Sequence, residues 1–510
     1  MGTIIGLQLT LLLAALDQTI VATAMPSIVA QLNGFDRYAW VTTAYLLTST
    51  ASGPIFARIS DIFGRKWVLL PAAIFFLLSS LLCGAAGEIP LPLDGMTQLI
   101  VFRGLQGIGG GVIMAIVFTV IGDIFPPAQR GKYMGLFAGV WGLASMIGPA
   151  LGGWLTDHWS WRWVFYVNAP VGIVAIIVLL LAFPYIKPQN VQRKIDYWGA
   201  LTLIGFLVPL LLGLTFGNNS GWASAKVISL IFASVAIFVL FACIEKRAAE
   251  PIMPPKLLAI ADIRLALIVL FCTAISMFDV ILFAPLFMQS VLGVSATEAG
   301  IIFASLTLAM SAGSISSGQI MSRTGRYKVI ALVGLSFVTA GLLFLSQLKT
   351  STNSQILIVF LILTGLGLGL TMPVFTLTIQ NAAPPTMIGA ATALSQFCRS
   401  IGATVGAAVM GAILQLRYME SINSALVSHA VPAEIVPILA NPARMIEIRM
   451  ILAKNYGQTP AGLESAGYVI EHIKAALVYA LHGIFLLGAV FAFLALIVTL
   501  FVQEKKLRSH

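Results

Sequence analysis

Long apolar runs, separated by short polar segments, dominate the chain and predict its helices. A bilayer core about 30 Å thick needs roughly 20 apolar residues in an α-helix. Asp17 interrupts the first run and no Lys or Arg precedes it, so this run is kept as a mature helix rather than a cleaved signal peptide. Fourteen runs are predicted as spans, at 4–25, 38–57, 67–87, 97–119, 133–154, 163–184, 198–217, 224–244, 263–286, 298–320, 329–347, 355–378, 389–415 and 475–502.

The composition agrees with an all-α integral membrane protein. Of the 510 residues, 59% are hydrophobic and only 9% are charged, whereas a soluble domain carries about 25% charged residues. The net charge of +10 is explained by Lys and Arg in cytoplasmic loops, so no nucleic-acid partner is predicted. The lipid bilayer is the expected surrounding.

Positive charges predict the orientation. If the amino terminus lies inside, the cytoplasmic segments hold eighteen Lys and Arg residues and the short outer loops hold four. This asymmetry predicts a multi-pass protein of the bacterial cytoplasmic (inner) membrane with both termini in the cytoplasm.

Two echoes indicate an internal repeat. The basic turn 53–66 resembles the turn 318–328, and the pair Gly148 and Gly153 has the same spacing as Gly406 and Gly411. Short basic turns recur in any membrane protein, but two echoes in matching order favour duplication. We therefore predict two six-helix bundles plus an inserted helix pair. The predicted units are 1–185 (first bundle), 186–262 (inserted pair and linkers), 263–415 (helices 9–13 of the second bundle), 416–474 (long extracytoplasmic loop) and 475–510 (last helix and tail).

Four short passages carry charged or glycine-rich patterns, at 16–26, 61–66, 103–107 and 139–153. In this order they resemble the major facilitator superfamily, specifically its fourteen-helix drug:proton antiporter branch of the multidrug efflux type. The turn departs from the family pattern because Ile62 stands where an Arg is usual, and its second copy has Ser322 in place of Asp.

The resemblance implies roles for three groups of residues. Arg103 matches the arginine that the family links to proton coupling. The family has a cytoplasmic turn that holds the two bundles together when the outside is open, and it corresponds in this sequence to Asp61, Gly64, Arg65 and Lys66. A motif that marks exporters matches Gly139, Gly148, Pro149, Gly152 and Gly153.

Four ionisable residues lie well inside predicted spans: Asp17, Arg103, Asp279 and Arg399. Each costs at least about 2.5–3.5 kcal/mol at a helix centre, so such residues persist mostly where they face a cavity and have a partner. A carboxyl group in a low-dielectric cavity can hold a proton near neutral pH and release it when water or a cation approaches. Asp17 is therefore the predicted proton-coupling residue and a substrate contact, and Arg103 would tune it. For Arg103 and for Arg399, the buried charge of the second bundle, structural pairing with a neighbouring helix is the alternative.

Asp279 lies beside Met277 and Phe283, and all three are predicted to bind substrate. A carboxylate among aromatic and thioether groups suits a lipophilic cation. The equal alternative is an Asp near the outer helix end that reaches water.

We therefore predict a secondary transporter that exports hydrophobic, preferentially cationic compounds in exchange for protons by alternating access. A proton symporter of the same fold and a polytopic lipid- or sugar-modifying enzyme are the alternatives. The five histidines are scattered and no Walker A sequence is present, so no catalytic, metal or cofactor site is predicted. A periplasmic adaptor protein is left open as a further partner.

Overall fold

This computed structural model describes residues 2–124, 127–183, 196–221, 223–248, 251, 255–324, 326–384, 387–428, 448 and 460–504. Within these residues the regular secondary structure is helical. A 3₁₀ turn (Phe35–Arg37) follows the first helix, and a π-helical turn (Phe287–Leu292) follows the eleventh. The helices are α1 (Gly2–Leu32), α2 (Trp40–Phe63), α3 (Arg65–Gly84), α4 (Gly95–Ile124), α5 (Pro127–His158), α6 (Trp163–Tyr166), α7 (Asn168–Ala182), α8 (Tyr197–Ser220), α9 (Ala225–Arg247), α10 (Pro255–Leu258), α11 (Ala261–Leu286), α12 (Ala296–Thr324), α13 (Lys328–Leu345), α14 (Ser354–Ala382), α15 (Ile388–Ser428) and α16 (Pro460–Leu500).

The all-helical membrane fold is confirmed. Within the described ranges, eleven helices are long and apolar enough to cross a membrane. The predicted spans 38–57, 133–154 and 198–217 correspond to α2, α5 and α8, which are helical but are not among the eleven. In α2 the Thr and Ser residues between 42 and 52 lower the hydropathy of the helix. The count of fourteen spans stays a prediction.

The helices pack into two groups with a pair beside them. In the first group α1 packs on α5 and α7, while α4 packs on α2 and α3. In the second group α14 packs on α12 and α13, while α11 packs on α15 and α16. Helices α8 and α9 pack on each other, and α8 also leans on α2 and α15. The two groups meet where α5 packs on α12, α2 on α15, and α1 on α11.

Helices occupy both ends of the segment 416–474, for which the sequence predicts a loop. Helix α15 continues to Ser428, and α16 already begins at Pro460. Charged residues end the apolar run near Arg417, but the helical spacing of buried positions continues through Tyr418 and Ile422, which are 0% and 4% exposed. At 41 residues each, these helices are about 62 Å long, so both project beyond a 30 Å bilayer core.

The two groups of helices are called the first and the second bundle, and they touch each other at one end of the structure through α5 and α12. We name this end the predicted outer end, and define it by residues 33–39, 158–162 and 293–295, which the charge pattern places outside.

Candidate functional site

Asp17 and Arg103 form a buried ion pair between α1 and α4. Asp17 is 0% exposed and Arg103 is 2% exposed, and Arg103 Nη1 lies 2.6 Å from Asp17 Oδ2. A buried charge without a partner is far more costly than a paired one, so each residue makes the other tolerable inside the bundle. The two residues predicted for proton coupling are therefore in direct contact.

Two amide side chains complete the shell around the Asp17 carboxylate. Gln106 Nε2 donates to Asp17 Oδ1 at 2.8 Å, and Asn168 Nδ2 donates to the same oxygen at 3.0 Å. Asn168, the first residue of α7, also donates to Ser80 Oγ at 3.0 Å. Three residues thus donate to the carboxylate: Arg103 to Oδ2, and Gln106 and Asn168 to Oδ1. This cluster holds Asp17 in a defined position.

Arg103 is held independently of Asp17. Its Nη1 also donates to Gln106 Oε1 at 2.7 Å, and its guanidinium carbon lies 4.3 Å from the ring centroid of Tyr45. A guanidinium over an aromatic face gains cation–π stabilisation. Arg103 can therefore keep its place when the charge on the carboxyl group changes.

The sequence singled out Asp17 and Arg103 but gave no role to Gln106 or Asn168. Gln106 lies one helical turn after Arg103 in the R-x-x-Q passage, which is the signal that it shares a helix face with Arg103. Asn168 is an amide inside the apolar run 163–184, and neutral amides in apolar helices are too common to stand out. Its importance follows only from the packing of α7 on α1.

Asp279 is also fully buried, but in the described part of the chain neither of its carboxylate oxygens has a hydrogen-bond partner. It faces α16, where a side-chain carbon on Gly488 would overlap Oδ2. Ser276 Oγ donates to the carbonyl oxygen of Gly488 at 2.8 Å and fixes this contact. In this conformation Asp279 does not reach water, so that interpretation of the sequence is wrong here.

The other two residues of the predicted substrate group are placed differently. Met277 is partly buried against the core shared by the two bundles. Phe283 is fully buried, and its ring stacks on Tyr38 of the first bundle with centroids 5.9 Å apart. Tyr38 in turn donates its hydroxyl to the carbonyl oxygen of Leu282 at 2.8 Å. Phe283 thus closes the interface between bundles in this state.

Arg399 lies within α15 and is separate from Asp279. Its Nη2 donates to Gln396 Oε1 at 2.5 Å, and its Nη1 lies 3.8 Å from Met372 Sδ. The two residues predicted as buried charges of the second bundle therefore do not form a pair.

The glycines of α5 allow close packing on both sides of this helix. An added Cβ at Gly148 would overlap Thr19 of α1, and one at Gly152 would overlap the carbonyl oxygen of Ile20. On the other face, a Cβ at Gly153 would overlap the carbonyl oxygen of Ala296 in α12. Small residues let membrane helices approach in this way. Pro149 lies in the same stretch, and the surroundings of Gly139 lie outside the described side chains.

A carboxylate that the sequence did not single out joins α5 to α12 at the predicted outer end. Asp157 Oδ1 accepts a bond from the Ala296 N–H at 3.1 Å, and Oδ2 accepts bonds from the Thr297 N–H at 2.6 Å and the Thr297 hydroxyl at 2.5 Å. The first N–H groups of a helix lack intrahelical partners and favour a negative charge. Asp157 therefore caps a helix of the opposite bundle.

The predicted gating turn joins α2 to α3 at the opposite end. Gly64 has φ 95°, a conformation that side-chain-bearing residues rarely adopt. Arg65 Nη1 donates to Ser60 Oγ at 2.6 Å, and Lys66 Nζ donates to the carbonyl oxygens of Leu180 at 2.9 Å and Phe183 at 2.8 Å. These bonds of Arg65 and Lys66 stay within the first bundle. The side chain of Asp61 lies outside the described part of the structure.

Comparisons with known proteins agree on one family. The family model of the Major Facilitator Superfamily matches residues 7–196 and 185–407. The chain is 37% identical over 516 residues to the multidrug transporter protein MdtP of Bacillus subtilis (strain 168), covering 99% of this chain and 93% of that protein. It is 33% identical over 430 residues to the efflux pump dotC of Dothistroma septosporum, covering 83% of this chain and 72% of that protein.

Solved structures share the fold at low sequence identity. A bacterial homolog of the human lysosomal transporter Spinster matches with a TM-score of 0.66 and 17% identity, over 98% of this chain and 97% of that chain. A D-xylose–proton symporter matches with a TM-score of 0.58 and 12% identity, over 81% of this chain and 90% of that chain. At such identities the likeness concerns the fold alone.

Proposed function

Because this chain belongs to the Major Facilitator Superfamily, and is thus a multi-pass membrane transporter rather than an enzyme, we propose that it exports hydrophobic, preferentially cationic drugs or related compounds in exchange for protons. Relatives named as a multidrug transporter and an efflux pump support export and support drugs as substrates, while the preference for cations rests on the buried carboxyl groups. The alternative of a lipid- or sugar-modifying enzyme is thereby set aside.

The observation that carries proton coupling is the buried cluster of Asp17, Arg103, Gln106 and Asn168. A proton on Oδ2 removes the negative charge that holds Arg103 Nη1 and turns that oxygen from an acceptor into a donor. Arg103 keeps Gln106 Oε1 and the Tyr45 face, so the proton loosens α1 from α4 without displacing the guanidinium. Release of the proton restores the ion pair. Two arrangements of the cluster thus correspond to two protonation states.

The bundles supply the two states of alternating access. In this conformation they are sealed at the predicted outer end by Asp157, Phe283 and the glycine face of α5. We propose that opening this seal frees Phe283 from Tyr38, and that Met277, Phe283 and Asp279 then contact the cation. The Asp61–Lys66 turn would latch the opposite end in that second state, since a contact present in one state biases the equilibrium by its differential energy.

The protein would cross the bacterial inner membrane fourteen times with both termini in the cytoplasm. Its partners would be the drug, protons and the bilayer, and a periplasmic adaptor protein could receive the exported compound.

Reconstitution into proteoliposomes that contain a pH-sensitive dye tests the proposal. Addition of substrate to the wild type should drive proton movement opposite to substrate movement, whereas a symporter would move both in the same direction. Asp17→Asn should abolish this exchange, and Asp17→Glu, which keeps the carboxyl group, should retain part of it. Because Asp17→Asn leaves Arg103 buried without its counter-ion, size-exclusion chromatography and the helical circular dichroism of the purified variant are measured beside transport to show that the variant is folded. Substrate-driven proton movement that survives in Asp17→Asn would refute the coupling role.

A further inference from the structure

The second bundle contains a guanidinium whose charge is not neutralised by any carboxylate among the described residues. A guanidinium has five N–H donors. The bond from Arg399 Nη2 to Gln396 and the contact of Nη1 with Met372 Sδ occupy two of them. Three donors therefore have no other partner among the described residues. This contrasts with Arg103, which is neutralised by Asp17.

These donors line a cavity between α11, α14 and α15. The cavity is small and partly open to its surroundings, well below the size of a site that encloses a whole drug-sized ligand. The space therefore suits one end of a substrate rather than all of it. The wall combines apolar, hydroxyl, amide and guanidinium groups: Leu270, Met372, Thr376, Ser395, Gln396 and Arg399.

Asp279, the buried acid of the same bundle, lies too far away to neutralise the positive charge of Arg399. Leu270 lies at the cavity, and Asp279 follows it by nine residues on α11, which places it about 13 Å farther along the helix axis. An unneutralised charge inside a membrane helix is costly and marks a substrate or ion pathway by default. An external anion in this cavity would thus lower the electrostatic energy of Arg399.

We propose that this cavity binds the anionic group, a carboxylate or sulfonate, of an amphiphilic acid or zwitterion, which extends the proposed export function to substrates of that class and rests on it. The planar fork of Arg399 can hold a carboxylate through two parallel bonds. The amide Nε2 of Gln396 has no bond partner among the described residues and supplies a further donor. Leu270 and Met372 accommodate the apolar part next to the anion.

Two dyes that differ only at the carboxyl group test the proposal: rhodamine 110, which carries a free carboxylate, and rhodamine 123, its methyl ester. Binding to the purified full-length protein is measured by fluorescence anisotropy, without a proton gradient. Arg399→Gln should raise the Kd for rhodamine 110 by about tenfold or more, as expected for the loss of a charge-assisted hydrogen bond. The Kd for rhodamine 123 should change by less than about twofold. Arg264→Gln removes an exposed guanidinium at the start of α11 and should change neither value.

The variant Arg399→Lys keeps the charge without the planar fork, so it should lie between wild type and Arg399→Gln for rhodamine 110. If Arg399→Gln does not fold, Arg399→Lys tests the anion site by itself: its affinity for rhodamine 110 should fall while its affinity for rhodamine 123 should not. Equal loss for both dyes, or failure of the wild type to bind rhodamine 110 while it binds rhodamine 123, would overturn the anion site. Selective binding in a protein that shows no gradient-driven export would instead refute the proposed function and leave the site standing.

Discussion

The cap that Asp157 places on α12 offers a direct test of how the predicted outer end is sealed. Replacement by Asn keeps the shape of the side chain, removes its charge and puts an N–H₂ group where one acceptor oxygen was. At a solvent-exposed helix start the charge is worth about 0.3–1 kcal/mol. Loss of one hydrogen bond removes about 0.5–1.5 kcal/mol more. Asp157→Asn should therefore weaken the sealed state by about 1–2 kcal/mol, which is a shift of about 5- to 30-fold in the ratio of open to sealed protein.

Spin labels on both bundles measure this ratio. Leu91 lies in the exposed turn after α3, and Lys349 lies in the exposed turn between α13 and α14. With native cysteines replaced, labels at Leu91→Cys and Lys349→Cys should show a larger long-distance population by double electron–electron resonance when Asp157→Asn is added. Asp36→Asn is the matched control, because Asp36 pairs with Arg37 of its own bundle. An unchanged distance distribution in Asp157→Asn, or an equal change in Asp36→Asn, would refute the role of the cap.

Three further substitutions test other contacts of the site. Gly153→Ala should open the seal and reduce export, since overpacking costs about 1–3 kcal/mol. Gly318→Ala is the control and should leave export unchanged, because its added methyl group meets open space. Similar export rates for the two variants would contradict this prediction. Asp279→Asn should weaken export of cations and spare neutral substrates, and equal loss for both in a substrate panel would count against a cation site. Thr23→Val removes a hydroxyl that bonds to the carbonyl oxygen of Pro149 in α5 and should lower the number of protons moved per substrate. Thr10→Val removes a bond within α1 only and should leave that number unchanged. An equal proton-to-substrate ratio in both variants would show that the bond from Thr23 to Pro149 does not carry coupling.

Hydropathy and charge were sufficient to find the all-helical membrane fold and the residues at its costly positions. Asp17 and Arg103 stand out in the sequence because an ionisable group inside a membrane helix is expensive. That they meet could not be derived from the sequence, because they lie 86 residues apart and their contact depends on how α1 packs on α4. The ends of α15 and α16 were also missed, because hydropathy falls at the membrane surface while the helical spacing of buried residues continues.

Asp157 shows a different limit of sequence reasoning. It lies at the polar end of an apolar run, where a carboxylate is expected to be solvated and of little energetic consequence. Its hydrogen bonds are made to the start of α12, which belongs to the other bundle and lies 139 residues away in the chain. No local pattern records such a pairing. A residue that joins bundles can be identified only after the bundles are placed side by side.

The proposed proton site on α1 and the proposed seal on α5 lie on helices that pack against each other, and this arrangement gives a physical reason for coupling between them. Asp17 lies on α1, and the next two turns of α1 carry Thr19 and Thr23, whose hydroxyls donate to α5 at the carbonyl oxygens of Ala144 (3.0 Å) and Pro149 (3.1 Å). The same carbonyl of Pro149 packs against Gly300 of α12. A change in the position of α1 on protonation of Asp17 would therefore act on the packing of α5 at the seal. Spatial proximity alone does not establish coupling. The comparison of Thr23→Val with Thr10→Val therefore carries particular weight, because Thr23→Val removes one of the two hydroxyl bonds from α1 to α5 while Asp17 and the residues of the seal are unchanged.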